Sequence, residues 1–141
     1  MADRPRLTQL PGNHSSQSYH PAVSLGTDSE NIVLLNKTGA TIKVTGVYYT
    51  PDTAVTGDDT DNYTLAVQNK GAAGTGTTAV ASLELATDVD MTANVAKAIT
   101  VSTTAANLLV SDGHALTLKK TEANSGLALP EGQVTITYQF V

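Results

Sequence analysis

Apolar and polar residues alternate most regularly over residues 133–141. Val134, Ile136, Tyr138 and Phe140 share one parity and are separated by polar residues. A period of two places alternate side chains on opposite faces of an extended chain, as in a half-buried β-strand. β-Branched and aromatic residues, which strands prefer, fill the apolar positions. We therefore predict a strand here, with its apolar face turned toward a core that the rest of the chain supplies.

Shorter alternating runs recur as far as residue 120, and residues 32–35 form a continuous apolar run, which indicates a strand covered on both faces. Turn signals such as Asp112-Gly113 separate them, and Gly46 within one run indicates a β-bulge. The pattern predicts about eight antiparallel strands and no helix. Because each strand must bury one face, we expect a two-sheet antiparallel sandwich. The leading topology is an eight-strand jelly roll, and an immunoglobulin-like sandwich is the alternative.

Residues 1–28 show no sustained period and contain three prolines. They form either a disordered leader or an extended arm that docks on a neighbouring subunit. The arm is favoured, because a disordered tail is usually poorer in Leu, Val and Tyr. We predict that this N-terminal arm packs outside the chain's own sandwich, which spans residues 29–141. The arm residues expected to contact a partner are Arg4, Arg6, Leu7, Leu10, Tyr19, Val23 and Leu25.

Composition limits the classes of partner. A chain of 141 residues has the length of one domain, and its net charge of −5 gives no attraction to nucleic acid or anionic membranes. The absence of cysteine excludes disulfides and thiolate metal sites. The first residues lack the apolar core of a signal peptide, and no apolar run approaches the roughly 20 residues of a membrane span. We therefore expect synthesis in a cytoplasm, with no nucleic-acid or membrane partner.

Candidate catalytic and metal-binding groups are few. Residues 58–62 supply Asp and Asn oxygens of the kind that Ca²⁺ prefers, but their spacing does not match an EF-hand. A solvated turn is the simpler interpretation. His114 shares the parity of Leu116 and is expected at the edge of the core, and no Gly-x-Ser-x-Gly elbow accompanies it. We predict no enzyme activity, no cofactor and no metal site.

The C-terminal third carries a family resemblance. Its features are VSDGHALTL at residues 110–118, SGLALPEG at 125–132 and VTITY at 134–138, in a Thr-, Ala- and Gly-rich body without Cys or Trp. Over residues 32–141 the chain resembles the small β-sandwich decoration, or cement, proteins of tailed bacteriophage capsids. The resemblance implies a jelly roll in the virion, often a homotrimer, that binds the major capsid protein at threefold or quasi-threefold points. It also implies that the protein is not an enzyme.

Three functional hypotheses follow. The first is a decoration protein that stabilises a phage head by bridging major capsid protein subunits. The alternative is a glycan-binding or adhesive module of a phage fibre or cell surface, which exposed aromatic residues and an ordered Ca²⁺ near Asp58 would favour. Because Tyr48 and Tyr49 are adjacent in a predicted strand, one of them must face outward. The third is an enzyme, which would need a pocket that joins His114 to a carboxylate and a hydroxyl.

Overall fold

A computed structural model describes residues 12–141 of the chain. Within this range the protein is all-β and antiparallel, and it contains nine strands and no α-helix. The predicted all-β fold class is therefore confirmed. A short 3₁₀ turn, Ala105–Leu108, precedes the seventh strand. The strands are β1 His14–His20, β2 Ser29–Leu35, β3 Ile42–Pro51, β4 Asn62–Asn69, β5 Thr78–Glu84, β6 Lys97–Val101, β7 Leu109–Val110, β8 Ala115–Ala123 and β9 Gly132–Phe140.

The strands form one curled sheet with the order β1-β9-β3-β6-β5-β4-β8-β2, and β7 pairs with the start of β3. Residues 97–99 of β6 pair with β3, while residues 100–101 pair with β5. Backbone pairing therefore continues through β6 from the first half of the sheet (β1, β9 and β3) to the second half (β5, β4, β8 and β2). This continuity was not anticipated from the sequence.

The two ends of the sheet order, β1 and β2, approach each other across a seam. Within the described residues no backbone pairing joins these two strands. A side-chain hydrogen bond crosses the seam instead. In this bond Nδ2 of Asn31 donates to Nε2 of His20 at 3.2 Å. The opposite ring nitrogen of His20 donates to the carbonyl of Pro21 at 2.8 Å, and the ring is fully buried. The sheet is therefore nearly closed, with one histidine at the closing point.

The core lies between the two halves and consists mainly of aliphatic side chains. On β9, Val134 and Ile136 are buried, and Tyr138 and Phe140 are partly buried against the same core. The predicted orientation of this strand is therefore confirmed. The bulge predicted at Gly46 is also present, since the register of β3 against β9 shifts between Val44 and Gly46.

The N-terminal region differs from the prediction. β1 pairs with β9 along its whole length, from His14 opposite Tyr138 to His20 opposite Gly132. Val23 is also buried and forms a bridge with Leu129. The prediction of an arm packed outside its own sandwich is therefore wrong for residues 14–23. The strand was missed because HSSQSYH contains no aliphatic residue, and its pairing is supplied by the backbone of β9. Arg4, Arg6, Leu7 and Leu10 lie outside the described residues.

Candidate functional site

A surface groove of about 380 Å³ lies on the outer face of the first half of the sheet, where β1, β3 and β9 meet the loops at one end of the molecule. Strand residues form its floor, and loop residues form its rim. The floor residues are Gln17, Tyr19, Thr50, Pro51, Gly132, Gln133 and Thr135. The rim residues are Asp52, Asn94 and Glu131.

Strand register explains why polar side chains share this face. Tyr19 on β1 lies opposite Gln133 on β9, which lies opposite Thr50 on β3. The next outward row pairs Gln17 with Thr135. Because alternate residues face opposite sides, the buried Val134 between these rows anchors β9 while its neighbours point outward. The groove floor is thus the polar outer side of the first half, and the inner side of this half faces the core.

Tyr19 is the aromatic residue of the groove, and 64% of its surface is exposed. Its hydroxyl donates to Oε2 of Glu131 at 2.5 Å. This hydrogen bond to a carboxylate, together with burial and the charges of Glu131 and Asp52, raises the pKa of the Tyr19 phenol. The ring is therefore held at its polar end while the rest of it remains accessible.

The loops that carry the two carboxylates are tied together. The backbone amide of Asp52 donates to the carbonyl of Glu131 at 2.9 Å, which places the two residues side by side. The next residue, Gly132, admits no larger side chain, because a Cβ there would overlap the carbonyl oxygen of Thr50. A third loop joins through Asn94, whose backbone N–H donates to the carbonyl of Pro51 at 2.7 Å. The rim of the groove is thus built by backbone hydrogen bonds between distant segments.

The remaining groove side chains are available for a ligand. Within the described part of the chain, the side-chain amides of Gln17, Asn94 and Gln133 make no hydrogen bond to protein. The same holds for the hydroxyls of Thr50 and Thr135. Among residues 12–141, no Lys, Arg or His lines the groove. The arrangement can therefore offer hydrogen-bond donors, acceptors and an aromatic ring, with a negative local charge.

The acidic loop considered for Ca²⁺ uses its carboxylates for other contacts. Oδ1 of Asp58 accepts from the amides of Thr60 and Asp61, and these bonds lower the pKa of the Asp58 carboxyl. Oδ1 of Asp61 accepts from the amide of Ser125 at 3.0 Å. Among the described residues, no group of three or more His, Asp or Glu side chains is arranged to hold a metal ion. The carboxylates of this loop order its backbone.

His114 is not joined to a catalytic set. Its carbonyl accepts from the amide of Asn36 at 3.0 Å, and Nδ1 of its partly exposed ring has no hydrogen-bond partner among residues 12–141. The carboxylate and hydroxyl that a catalytic triad requires are therefore not hydrogen-bonded to this nitrogen.

A buried ion pair, which the sequence analysis missed, lies on the inner face of the second half. Lys120 is fully buried and pairs with Glu122 two residues further along β8. Its Nζ also donates to the carbonyls of Ser24 and Thr27, at 3.3 and 3.1 Å. Burial lowers the pKa of the Lys120 ammonium. The pair thereby fastens the connection between β1 and β2 to the end of β8. Its signal was present, because Lys120 shares the parity of Leu116 and Leu118.

The described residues predicted to contact a partner do not form one surface. Tyr19 belongs to the groove, whereas Val23 is buried and forms the bridge to Leu129. Leu25 is 59% exposed in the connection between β1 and β2. Two further apolar residues are exposed on β2, Ile32 at 69% and Leu35 at 54%. Sequence analysis did not single these two out, because a continuous apolar run indicated a strand covered on both faces.

No helix among residues 12–141 has the length and apolar character needed to cross a membrane. Comparison of the chain with protein-family models, with curated proteins and with solved structures found no match.

Proposed function

We propose that this protein is a decoration protein of a bacteriophage head, which binds the outer capsid surface and stabilises it by bridging major capsid protein subunits. The observation that carries the proposal is the exposed apolar surface of β2. Ile32 and Leu35 present large apolar side chains on a strand that terminates the sheet order. Proteins usually protect such strands with charge, proline or a covering element. Exposed apolar groups on an edge strand therefore favour a partner that covers them.

The surroundings of Ile32 have the make-up of an interface. A shallow groove of about 350 Å³ lies beside Ile32, with Ala115 and Thr117 in its wall. A salt bridge of 2.8 Å between Lys70 and Glu30 borders the groove, and Thr117 donates to the same Glu30 oxygen at 2.8 Å. Lys70 and these hydrogen bonds lower the pKa of the Glu30 carboxyl. An apolar centre with a polar margin is typical of protein–protein contacts.

Topology and symmetry belong to the same proposal. The antiparallel sheet with two halves facing one core is compatible with a jelly roll, which we assign as the finer topology. We infer a homotrimer, because a threefold protein matches a threefold capsid site without breaking symmetry.

The N-terminal segment supplies additional proposed capsid contacts, which are Arg4, Arg6, Leu7 and Leu10. The charge distribution supports this role, since residues 1–27 carry a net charge of +1 and the remainder of the chain a net charge of −6.

Titration onto undecorated heads of the cognate phage tests the proposal. Replacing Ile32 and Leu35 by Ser should weaken binding at least about tenfold, because apolar area leaves the interface. Val95→Ser is the matched control, since Val95 is exposed as much as Leu35, at 54%, but lies in the loop between β5 and β6. Binding of the double variant at wild-type strength would contradict the role of β2. Absence of any binding by the wild-type chain would contradict the function itself.

Two further measurements test the proposed capsid contacts of the N-terminal segment and the proposed trimer. Deleting residues 2–11 removes Arg4, Arg6, Leu7 and Leu10 while leaving β1 intact, and should weaken attachment without lowering the melting temperature. Native mass spectrometry of the free protein and mass measurement of decorated heads should give copy numbers in multiples of three. A strictly monomeric distribution on the heads would refute the trimer.

A further inference from the structure

We propose that the groove around Tyr19 is a binding site for a neutral oligosaccharide. This inference does not depend on the decoration role, because the groove and the exposed apolar residues of β2 lie on different halves of the sheet. It gives the chain a second interaction, with a carbohydrate, besides its contact with a protein partner.

The first argument is the state of the Tyr19 ring. With most of its surface exposed, the ring offers an apolar platform to the C–H groups of a sugar. The hydrogen bond to Glu131 already holds it in place, so stacking costs little further side-chain entropy. A tyrosine that only filled space between β1 and the loops would be largely covered.

The second argument is the chemistry of the lining. Each sugar hydroxyl both donates and accepts, and a side-chain amide offers both functions at one position. Gln17, Asn94 and Gln133 present three such amides around the ring, with the hydroxyls of Thr50 and Thr135 beside them. A few polar groups that converge on an apolar surface are characteristic of small-molecule sites. The groove volume of about 380 Å³ lies within the usual range for such sites, roughly 300–1,000 Å³.

The third argument is charge, which selects among ligands. Asp52 and Glu131 border the groove, and no cationic side chain of the described residues lines it. Sialylated or phosphorylated glycans are therefore repelled, whereas the hydroxyls of neutral sugars can donate hydrogen bonds to the carboxylates. A cationic ligand such as an arginine side chain would also be attracted. It would, however, leave the amide N–H donors of Gln17, Asn94 and Gln133 unused, so the full lining favours the sugar.

Chemical-shift perturbation on the full-length chain tests this site. The neutral probes are maltohexaose, cellohexaose, the fully N-acetylated chitohexaose and mannohexaose, and the comparison ligands are sialyllactose and arginine amide. At least one neutral probe should shift the backbone amides of Tyr19, Asp52 and Gln133, with a Kd of about 1 mM or lower. No shift with any neutral probe, or shifts with only sialyllactose or arginine amide, would overturn the proposal.

Variants then locate the contact. Tyr19→Ala should weaken binding of the best probe about tenfold, whereas Tyr19→Phe, which keeps the ring, should retain affinity within about threefold. Tyr48→Ala is the matched control, because Tyr48 is exposed on the same half but does not line the groove. The backbone spectrum of each variant establishes that it is folded. Equal affinity of Tyr19→Ala and wild type would place the sugar elsewhere and refute the site.

Discussion

The inner faces of the two halves of the sheet have different chemistry. On β9, in the first half, the inward positions Val134 and Ile136 are aliphatic and buried. On β8, in the second half, the inward row starts with Leu116 and Leu118 but continues into the buried ion pair of Lys120. The first face is stabilised by removing apolar surface from water. The second also depends on partners that satisfy a buried charge.

This difference separates two ways of holding a sheet together. Truncating a buried aliphatic side chain lowers the free energy of unfolding in proportion to the volume removed, and the neighbouring side chains can partly relax. A buried charge responds to the loss of a single partner, because the remaining charge cannot return to water. The ion pair also orients the chain between β1 and β2 through the carbonyls of Ser24 and Thr27. The buried ion pair of the second half therefore helps to determine where the seam between β1 and β2 lies.

The largest expected effect is that of Lys120→Ala. The change leaves Glu122 buried without its cation and should lower the free energy of unfolding by about 3–5 kcal/mol, measured by urea denaturation. Lys119→Ala is the control, because the neighbouring side chain points to the other face and should cost about 0.5 kcal/mol or less. The double change Lys120→Met with Glu122→Leu should recover most of the loss. A loss below about 1 kcal/mol in Lys120→Ala would show that the pair is not buried as described.

Ile136→Ala probes the apolar half and should cost about 2–5 kcal/mol, as truncation of a buried Ile does. Thermal and urea denaturation measure the effect. Gln139→Ala, at an exposed position of the same strand, should be nearly neutral. An unchanged melting temperature for Ile136→Ala would mean that this parity of β9 does not face the core.

Gly126→Ala tests how tightly the ion pair is enclosed. Gly126 has a φ of +65°, and an added Cβ would overlap the carboxylate of Glu122. Gly71 has the same φ of +65° but nothing within 4 Å of the added atom, so Gly71→Ala measures the backbone strain alone, about 1–2 kcal/mol. Gly126→Ala should be the more destabilising of the two in urea denaturation. Equal losses would show that Glu122 can move aside at no cost.

The smallest effect is the pH dependence that His20 contributes at the seam. Burial lowers the pKa of this histidine in the folded protein below 6.5, although the bond to Pro21 opposes the shift. As pH falls below about 6.5, the unfolded chain takes up a proton that the folded ring does not, so stability should decline by up to about 1.4 kcal/mol per pH unit. The decline should level off once pH is below the folded pKa. Urea denaturation of wild type and His20→Gln across pH 7.5 to 4.5 isolates this contribution. Parallel profiles would contradict it.

The local features of the fold could be predicted from the sequence. The inward parity of Val134 and Ile136 and the bulge at Gly46 follow from residue spacing alone, and both are present. The pairing of β1 with β9 could not be predicted, because His14 and Tyr138 are distant in the chain and β1 has no aliphatic pattern. Lys120 was overlooked for the opposite reason. Its parity indicated the core, but a charged residue is rarely expected there.

The groove was inaccessible to sequence analysis for a related reason. Its lining comes from four separate stretches of the chain, which strand register and loop hydrogen bonds bring together. Tyr19 alone had been singled out, as a residue for contacting a partner. Its neighbours Asn94 and Gln133 have no local signal, because single amides are common on any surface.

The position of β9 has a consequence for how the chain acquires its structure during synthesis. β9 lies between β1 and β3, so neither strand can complete its pairing until residues 132–140 have left the ribosome. β1 and one edge of β3 therefore stay unpaired until then, and unpaired strand edges are prone to aggregate. Pairing across such a sequence separation also slows folding, because the closure of a long loop precedes the contacts that reward it. Yield in a recombinant host should accordingly improve at low temperature and low expression rate.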